Sequence, residues 1–501
     1  MSTKQDAFVC ILDPTSLPTL PGSSAKIGAL DVQQMWASAR TAGATKALES
    51  RMMFGPSGEV AALVSIGDDK QVSDAEKREV VRKAAGKGVN LLRDLAGNGN
   101  AAGVRNVGVA LVGVDGDAHA AAVGAKLALG TFTLKTAKDA DPSKNISVKL
   151  AGSGGEGEDW NRGAVYADAQ NLVRELMELP ANILTPTAFC DRIQKEAEGL
   201  ENVQIFVRDE AWAREKGMNT FLSVAKGSNE PAKFLEVHYS GAPQKDARPV
   251  AFVGKGVTFD AGGISLKPAA GMKLMKSDMC GAANACATAL AVARLAIPIN
   301  VIAIAPLTEN IPGPNANKPG DIVYGMNGKS VEIDNTDMEG RLILSDALYY
   351  TSTTYKPHTI LDIATLTYAM QISFGEIFSG VFSTSDSLWD ELRDAGEIEH
   401  DRFWRMPLDE EFGPHIYSSI ADLCNNGGPK GTCCTAALFL KAFVEGIQTK
   451  DENGRPKTPS VRWAHLDACS VMECTRPGPY QALGAYGRPV RALIEFARRL
   501  A

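Results

Sequence analysis

The chain has 501 residues, 45% of them hydrophobic and 22% charged, which places it among globular proteins with room for two or three domains. A formal net charge of −7, with no basic run, argues against nucleic acid or an anionic membrane as the main partner. Nine cysteines, an odd number with no CxxC spacing, fit a reducing compartment better than a disulfide framework, so a cytoplasmic protein is expected.

Met1 to Phe8 lacks a cationic segment followed by an apolar one, so no secretory signal is expected. The most apolar windows, such as Val301 to Leu307, are too short to span a bilayer. Strand-like runs at Phe8 to Leu12, Val60 to Ile66 and Val107 to Val114 alternate with Ala-rich helical stretches such as Asp74 to Ala96. This predicts an α/β domain over residues 1–165. Its one histidine, His119, reads as helix-packing or solvent-facing rather than catalytic. Gly152 to Asp159 reads as a polar linker. An amphipathic helix follows at about Asn161 to Leu179, with Leu172, Val173, Leu176 and Leu179 as its apolar stripe. Pro180 and Thr185-Pro186 punctuate the chain before helix resumes over Thr187 to Glu198. Residues 166–186 are thus expected to connect to a second domain over 187–501.

In that second domain, strands are predicted at Val203 to Val207, Phe234 to Tyr239, Val250 to Val253, Val301 to Ala305, Thr359 to Ile363 and Trp463 to Leu466. Helical stretches lie between most of them, which predicts a mostly parallel sheet covered by helices. Ligands of such sheets bind off the carboxyl ends of the strands. The polar clusters of the chain fall there. Val250 to Val253 runs into Gly254-Lys255-Gly256 and on to Asp260-Ala261-Gly262-Gly263, with Lys267-Pro268 closing the segment. No GxxxxGK[ST] or GxGxxG spacing is present, so a phosphate-cradling loop is disfavoured. Asp278 is expected to open a helix of small residues from Gly281 to Ala289, and it reads either as an N-cap or as a metal ligand.

A second cluster, Asn335-Thr336-Asp337-Met338-Glu339-Gly340-Arg341-Leu342, follows the strand-like run Ser330 to Asp334. Its plain reading is a polar turn in which Arg341 pairs with a carboxylate. The two clusters together bring four carboxylates, two lysines and an arginine into apolar surroundings, which is costly unless compensated. A pair of divalent cations is the economical compensation, and two metals on shared carboxylates imply hydrolysis. Oxygen ligands suit Zn, Mn, Mg or Co alike. His238, His358, His400, His415 and His465 are scattered, which excludes an HExxH site. Cys433-Cys434 and the pair Cys469 and Cys474 match no structural zinc spacing and read as small buried apolar side chains.

Asn335 to Leu342 is similar to the motif Asn-Thr-Asp-Ala-Glu-Gly-Arg-Leu, with Met338 in place of alanine. Val253 to Gly263, Lys267-Pro268, Pro180-Ala181-Asn182 with Thr185-Pro186, Asn317 to Asp321, Thr365-Leu366-Thr367 and Gly487 to Val490 extend the match across Arg174 to Phe496. On these motifs the chain resembles the leucyl aminopeptidase family of two-metal, hexameric cytosolic exopeptidases. The resemblance implies a macro-like N-terminal domain and a catalytic C-terminal one. It implies a tight metal site of Lys255, Asp260, Asp278 and Glu339, and an exchangeable one of Asp260, Asp337 and Glu339. Zinc occupies both family sites, and manganese, cobalt or magnesium can replace it in the exchangeable one.

Lys267 and Arg341 would be the catalytic pair, Arg341 holding bicarbonate, with a metal-bridging hydroxide as nucleophile. Met275, Asn335, Thr365, Leu366 and Tyr368 would border the substrate pocket. The substrates implied are peptides with N-terminal leucine or another apolar residue, and the assembly implied is a homohexamer. A DNA-binding regulator, a side role in bacterial members, and a silent oligomeric scaffold are the alternatives. A lysine ligand must be neutral, and burial with adjacent cations pushes its pKa down. Lys267 is better protonated, where it can stabilise an oxyanion. Arg341, a planar fork of donors, suits a carbonate-like anion. Two departures stand out: Tyr368 replaces a family glycine, adding a ring and removing access to positive φ, and Ser470 to Tyr480 diverges.

Overall fold

Unbroken apolar runs rich in β-branched residues build the sheets of this protein, because a strand buried on both faces has no polar side to alternate with. The computed structural model describes residues 7–20, 26–27, 30–39, 46–55, 58–68, 72–97, 104–114, 117–136, 146–151, 157–244, 246–455 and 457–501. Met1 to Asp6, and Gly152 to Glu156 of the expected linker, lie outside them. The rest of that linker is not one: Gly157, Glu158 and Asp159 form a helix start, where acidic side chains complement the exposed N–H groups. By contacts the chain divides into Met1–Asn171 with Cys474–Gly484, and Leu172–Glu473 with Ala485–Ala501.

In the first unit β1 (Ala7–Leu12), β2 (Ser50–Phe54), β3 (Val60–Ser65), α1 (Asp74–Gly97), β4 (Asn106–Val112), α2 (Ala118–Leu129), β5 (Ser147–Leu150) and the start of α3 (Gly157–Glu178) follow one another. The sheet order is β2-β3-β1-β4-β5, parallel except for β2 against β3. His119 is buried in α2 with its ring edge-on to Tyr166 at 4.7 Å, a helix-packing residue. Part of the divergent stretch belongs to this unit as well. Tyr480 donates its hydroxyl to both carboxylate oxygens of Glu79 on α1, at 2.9 and 3.0 Å, and Asn90 donates to the Pro479 carbonyl at 2.7 Å.

The second unit continues with α4 (Pro186–Glu196), β6 (Val203–Arg208), β7 (Lys233–Ser240), β8 (Val250–Gly254), β9 (Gly256–Asp260), α5 (Cys280–Arg294), β10 (Asn300–Asn310), β11 (Asp321–Tyr324) and β12 (Ser330–Ile333). Then come α6 (Gly340–Thr354), β13 (Thr359–Ala364), α7 (Tyr368–Phe374), β14 (Ser379–Ser383), β15 (Phe403–Arg405), β16 (Leu423–Cys424), α8 (Thr432–Lys441), β17 (Arg462–Asp467) and α9 (Val490–Arg499). The nine-stranded sheet runs β15-β14-β17-β13-β8-β10-β7-β6, with β9 paired to the end of β10. Its four central strands are parallel, while β6, β7 and β14 join antiparallel, so the sheet is mixed with a parallel heart.

Ala251, Val253, Ile302, Ile304 and Ile360 pack with Leu342, Ile343 and Ala347 of α6 in one core. By strand alternation Val250 and Phe252 turn to the opposite face, and α5 also packs on β8, β10 and β13. No helix among the described residues is long and apolar enough to cross a membrane.

One expectation needs correction. Asp278 neither opens nor caps α5. A 3-10 turn over Met272–Ser277 ends on it, and α5 begins at Cys280 after Met279, which makes no side-chain cap. The glycine-flanked segment Gly256–Asp260 is a short strand, because β10 is long enough to pair with both β8 and β9.

Candidate metal centre

Lys255 is the first residue past β8, and its backbone is pinned from two sides. Its N–H donates to the Ile363 carbonyl at 2.9 Å, and its carbonyl accepts from Ala282 at 2.8 Å. The first turn of α5 comes this close because Gly281 has no side chain: a Cβ there would lie 2.0 Å from the Ile363 oxygen. The side chain of Lys255 then runs inward. Its Nζ sits 2.8 Å from Asp278 Oδ2 and 2.8 Å from Glu339 Oε1, and donates to the Thr365 carbonyl at 3.0 Å. The Thr365 hydroxyl in turn donates to Asp278 Oδ1 at 2.6 Å.

Asp260 ends β9, in register with Asn310 at the end of β10. Its Oδ1 accepts from Gly262 N at 2.9 Å and from Asn310 Nδ2 at 2.8 Å, and the same Nδ2 lies 3.0 Å from the Thr336 carbonyl. Asn310 therefore ties the Asp260 segment to the Asp337–Glu339 turn. Thr336 strengthens the tie by donating its hydroxyl to the Gly262 carbonyl at 2.6 Å. Asn425 shapes the turn from the other side, accepting from the N–H groups of Asp334 and Asn335 and donating to the Asn335 carbonyl at 2.7 Å. Lys267 Nζ lies 2.9 Å from Asp260 Oδ2 and 2.6 Å from Asp337 Oδ1. One oxygen each from Asp260, Asp337 and Glu339 lies within 4.8 Å of the other two, the single cluster of this kind among the described residues.

The charges are unbalanced. Burial, with Glu339 and Asp278 close by, raises the Asp260 carboxyl well above its usual range. Burial likewise pushes Asp278 up to about 6 and raises Asp337. Glu339 ends below its usual value, because Lys255 and Lys267 outweigh its burial. Burial draws the Lys255 ammonium down, yet Asp278, Glu339 and Asp260 overcome it and the net shift is upward. The neutral lysine expected of a ligand is therefore not what the carboxylates alone favour; cations would have to tip the balance. Lys267 is raised in the same way, chiefly by Asp260 against the pull of burial.

The residues suit divalent cations. Four buried or half-buried carboxylates face two ammonium groups, which leaves the pocket short of positive charge. Asp278 Oδ2, Asp337 Oδ1 and Glu339 Oε1 are buried, and each faces a lysine ammonium at 2.6 to 2.8 Å. Arg341 differs from its plain reading. It forms no ion pair among the described residues, its Nε and Nη1 are buried without partners, and its guanidinium lies 5.9 Å over the Phe439 ring. Burial lowers its pKa to about 10, so it keeps its charge at neutral pH and lacks a counter-ion.

Seven residues singled out in the sequence, Lys255, Asp260, Lys267, Asp278, Asp337, Glu339 and Thr365, thus meet in one network, with Arg341 two residues beyond Glu339. Leu366 lies against it too: a Cβ on Gly340 would come within 2.9 Å of Leu366 Cδ1 and 2.7 Å of Lys255 Cε. Met275, half-buried on the 3-10 turn, and Tyr368, 68% exposed at the first turn of α7, stand outside the ion-pair network. Asn335 joins it through its side chain, which accepts from Asp337 N at 2.9 Å. Asn310, Asn425 and Asp467 escaped the sequence reading. Asn310 and Asp467 each end a strand predicted from its apolar run, the same signal that marked Lys255.

A parallel-hearted α/β sheet with a carboxylate and lysine cluster at its strand ends defines a metal-dependent hydrolase. Residues 171–494 match the model of the cytosol aminopeptidase family, catalytic domain. The cytosol aminopeptidase of Xenopus tropicalis is 42% identical over 475 residues, covering 92% of this chain and 85% of that one. That of Homo sapiens is 44% identical over 439 residues, 86% of this chain and 78% of that one. Among solved structures, the bottromycin maturation enzyme BotP in complex with Mn has a TM-score of 0.80 at 29% identity, covering 99% of this chain and 100% of that one. The chain belongs to the cytosol aminopeptidase family and is a metal-dependent aminopeptidase.

Proposed function

We propose that the protein releases N-terminal residues, leucine and other apolar ones foremost, from peptides in the cytoplasm. The observation that carries this reading is the convergence of Asp260, Asp337 and Glu339 oxygens within 4.8 Å, beside two lysines. Lys255, Asp260, Asp278 and Glu339 would hold one divalent cation, and Asp260, Asp337 and Glu339 a second, exchangeable one. Zinc suits both sites, with manganese, cobalt or magnesium in the second; the Mn complex of the related BotP supports manganese as an ion this fold can hold. Such a pair supplies Lewis acidity for the scissile carbonyl and hydroxide as nucleophile near neutral pH.

The chain's own groups do the rest. Lys267, kept charged by Asp260, donates an N–H to the carbonyl oxygen as that oxygen gains negative charge. Arg341, charged and with Nε and Nη1 unpartnered, binds a planar anion of the bicarbonate kind, which there would supply a base for proton relay. Thr365, Leu366, Met275, Asn335 and Tyr368 border the pocket for the N-terminal side chain, and the apolar Leu366 and Met275 with the Tyr368 ring favour leucine-like residues. The catalytic domain would occupy residues 187–501, behind an N-terminal domain of 1–165 and a connecting segment of 166–186. Family kinship further supports a homohexamer.

The acidic balance, with 59 Asp and Glu against 52 Lys and Arg, disfavours a DNA-binding role, and the presence of all seven proposed site residues disfavours a silent scaffold. Asp337→Ala tests the reading. It should abolish hydrolysis of a leucyl anilide and lower the bound metal by about one equivalent, and retained turnover would refute it.

A further inference from the structure

Behind the charged cluster lies a carboxylate that touches none of its members. Asp467 is fully enclosed at the end of β17, beside Ala364 in register on β13. Its Oδ1 accepts from the N–H groups of Leu366 and Cys469, each at 3.2 Å, and its Oδ2 accepts from the Thr367 hydroxyl at 2.6 Å. A buried carboxylate carries a large desolvation cost that these three donors offset. Two of them come from the segment that follows β13, so Asp467 clamps that segment directly after Thr365.

Thr365 faces the opposite way. Its carbonyl accepts from Lys255 Nζ at 3.0 Å and its hydroxyl donates to Asp278 Oδ1 at 2.6 Å. A lysine side chain has four rotatable carbons, and a neutral amine keeps two N–H bonds and one lone pair. A fixed carbonyl acceptor therefore restricts where that lone pair can point. The hydroxyl contact does the same for the other oxygen of Asp278, which faces Lys255.

We propose that Asp467 is a positioning residue for one metal site of the two: by clamping Leu366 and Thr367 it fixes Thr365, whose carbonyl and hydroxyl aim Lys255 and Asp278. The inference rests on the reading that Lys255 and Asp278 hold a cation. It is selective, because Asp260 and Asp337 are held by Asn310, Gly262 and Asn335 instead.

Calorimetric titration of the full chain, stripped by chelator and refilled with manganous ion alone, tests it. Asp467→Ala should weaken one of two binding events by roughly 10–100-fold and leave the other within about threefold. Thr367→Val, which removes one hydroxyl, should move the same event by less. Asp467→Asn, which keeps an acceptor for Leu366 and Cys469, should recover most of the loss. Equal weakening of both events, or no change in either, overturns the inference. If Asp467→Ala does not fold, Thr367→Val decides the matter by the same criterion. Lys255→Ala and Asp278→Ala distinguish loss of the metal site from loss of its positioning. If they leave manganous ion binding intact, the metal assignment fails and this inference falls with it. If they abolish one event while the Asp467 and Thr367 variants change nothing, only the positioning role fails.

Discussion

Gly340 sits between two ligand candidates and the helix that follows them, and replacing it with alanine separates activity from stability. The added methyl would stand 2.7 Å from Lys255 Cε, 2.8 Å from Lys255 Cδ and 2.9 Å from Leu366 Cδ1. Comfortable carbon contacts begin near ~3.5 Å, so the lysine stem must retreat by about 0.8 Å. It cannot do so freely, since its Nζ is held by Asp278, Glu339 and the Thr365 carbonyl. Displacements of about 1 Å at a reacting constellation cost on the order of 100-fold in rate.

The stability balance is smaller. Gly340 is the first residue of α6, where alanine gains up to about 1 kcal/mol in helix propensity. Overpacking opposes this by about 1–3 kcal/mol, leaving a net loss of at most about 3 kcal/mol. Gly340→Ala should therefore lower kcat for a leucyl anilide by about 100-fold while the thermal melt stays within a few degrees of the parent. A variant with kcat within twofold of the parent would show that Lys255 placement does not govern turnover.

Three further outcomes are expected. Lys267→Ala should keep two equivalents of bound metal and lose most of kcat with little change in KM, because its N–H acts on the transition state; an equal rise in KM would assign it to substrate binding. Asn310→Ala leaves Asp260 Oδ1 and the Thr336 carbonyl each short of a donor. It should weaken metal binding by about 10–100-fold and stability by about 1–3 kcal/mol, both readable by titration and by chemical denaturation.

His465 is fully buried, and its Nδ1 faces Asp362 Oδ1 at 2.5 Å. Burial alone would lower its pKa, but the Asp362 charge and hydrogen bond win and raise it. A raised histidine stabilises the fold fully below its unfolded value near ~6.5 and loses that contribution as pH rises through the folded value. The melting temperature gap between parent and His465→Gln should therefore be widest near pH ~6 and narrow towards pH ~9. A gap that stays constant, or widens with pH, would contradict a charged pair.

Strands were legible where their runs are mostly apolar, as in Ala7–Leu12 and Val250–Gly254, whereas the more polar Ser50–Phe54 and Ser147–Leu150 and the serine-bounded Ser379–Ser383 were not. The polar residues that matter were legible where glycines or strand ends framed them, as around Lys255 and Asp337. Asp278 was misplaced because the small residues after it extend the helical pattern backwards, and only the 3-10 turn over Met272–Ser277 shows where α5 begins.

Composition, motif spacing and strand pattern determined by themselves which kinds of groups this chain carries and that a sheet would bring them to its strand ends. The tertiary structure alone decided how they meet. That Lys255 rests on the Thr365 carbonyl, that Asn310 spans Asp260 and Thr336, and that Arg341 has no carboxylate partner depend on residues 26 to 110 positions apart. Periodicity reports which face of its own element a residue occupies. Hydrogen-bond partners across a parallel sheet are set by which strands become neighbours, and here that order follows from burying the apolar faces of α5 and α6 against the same central strands.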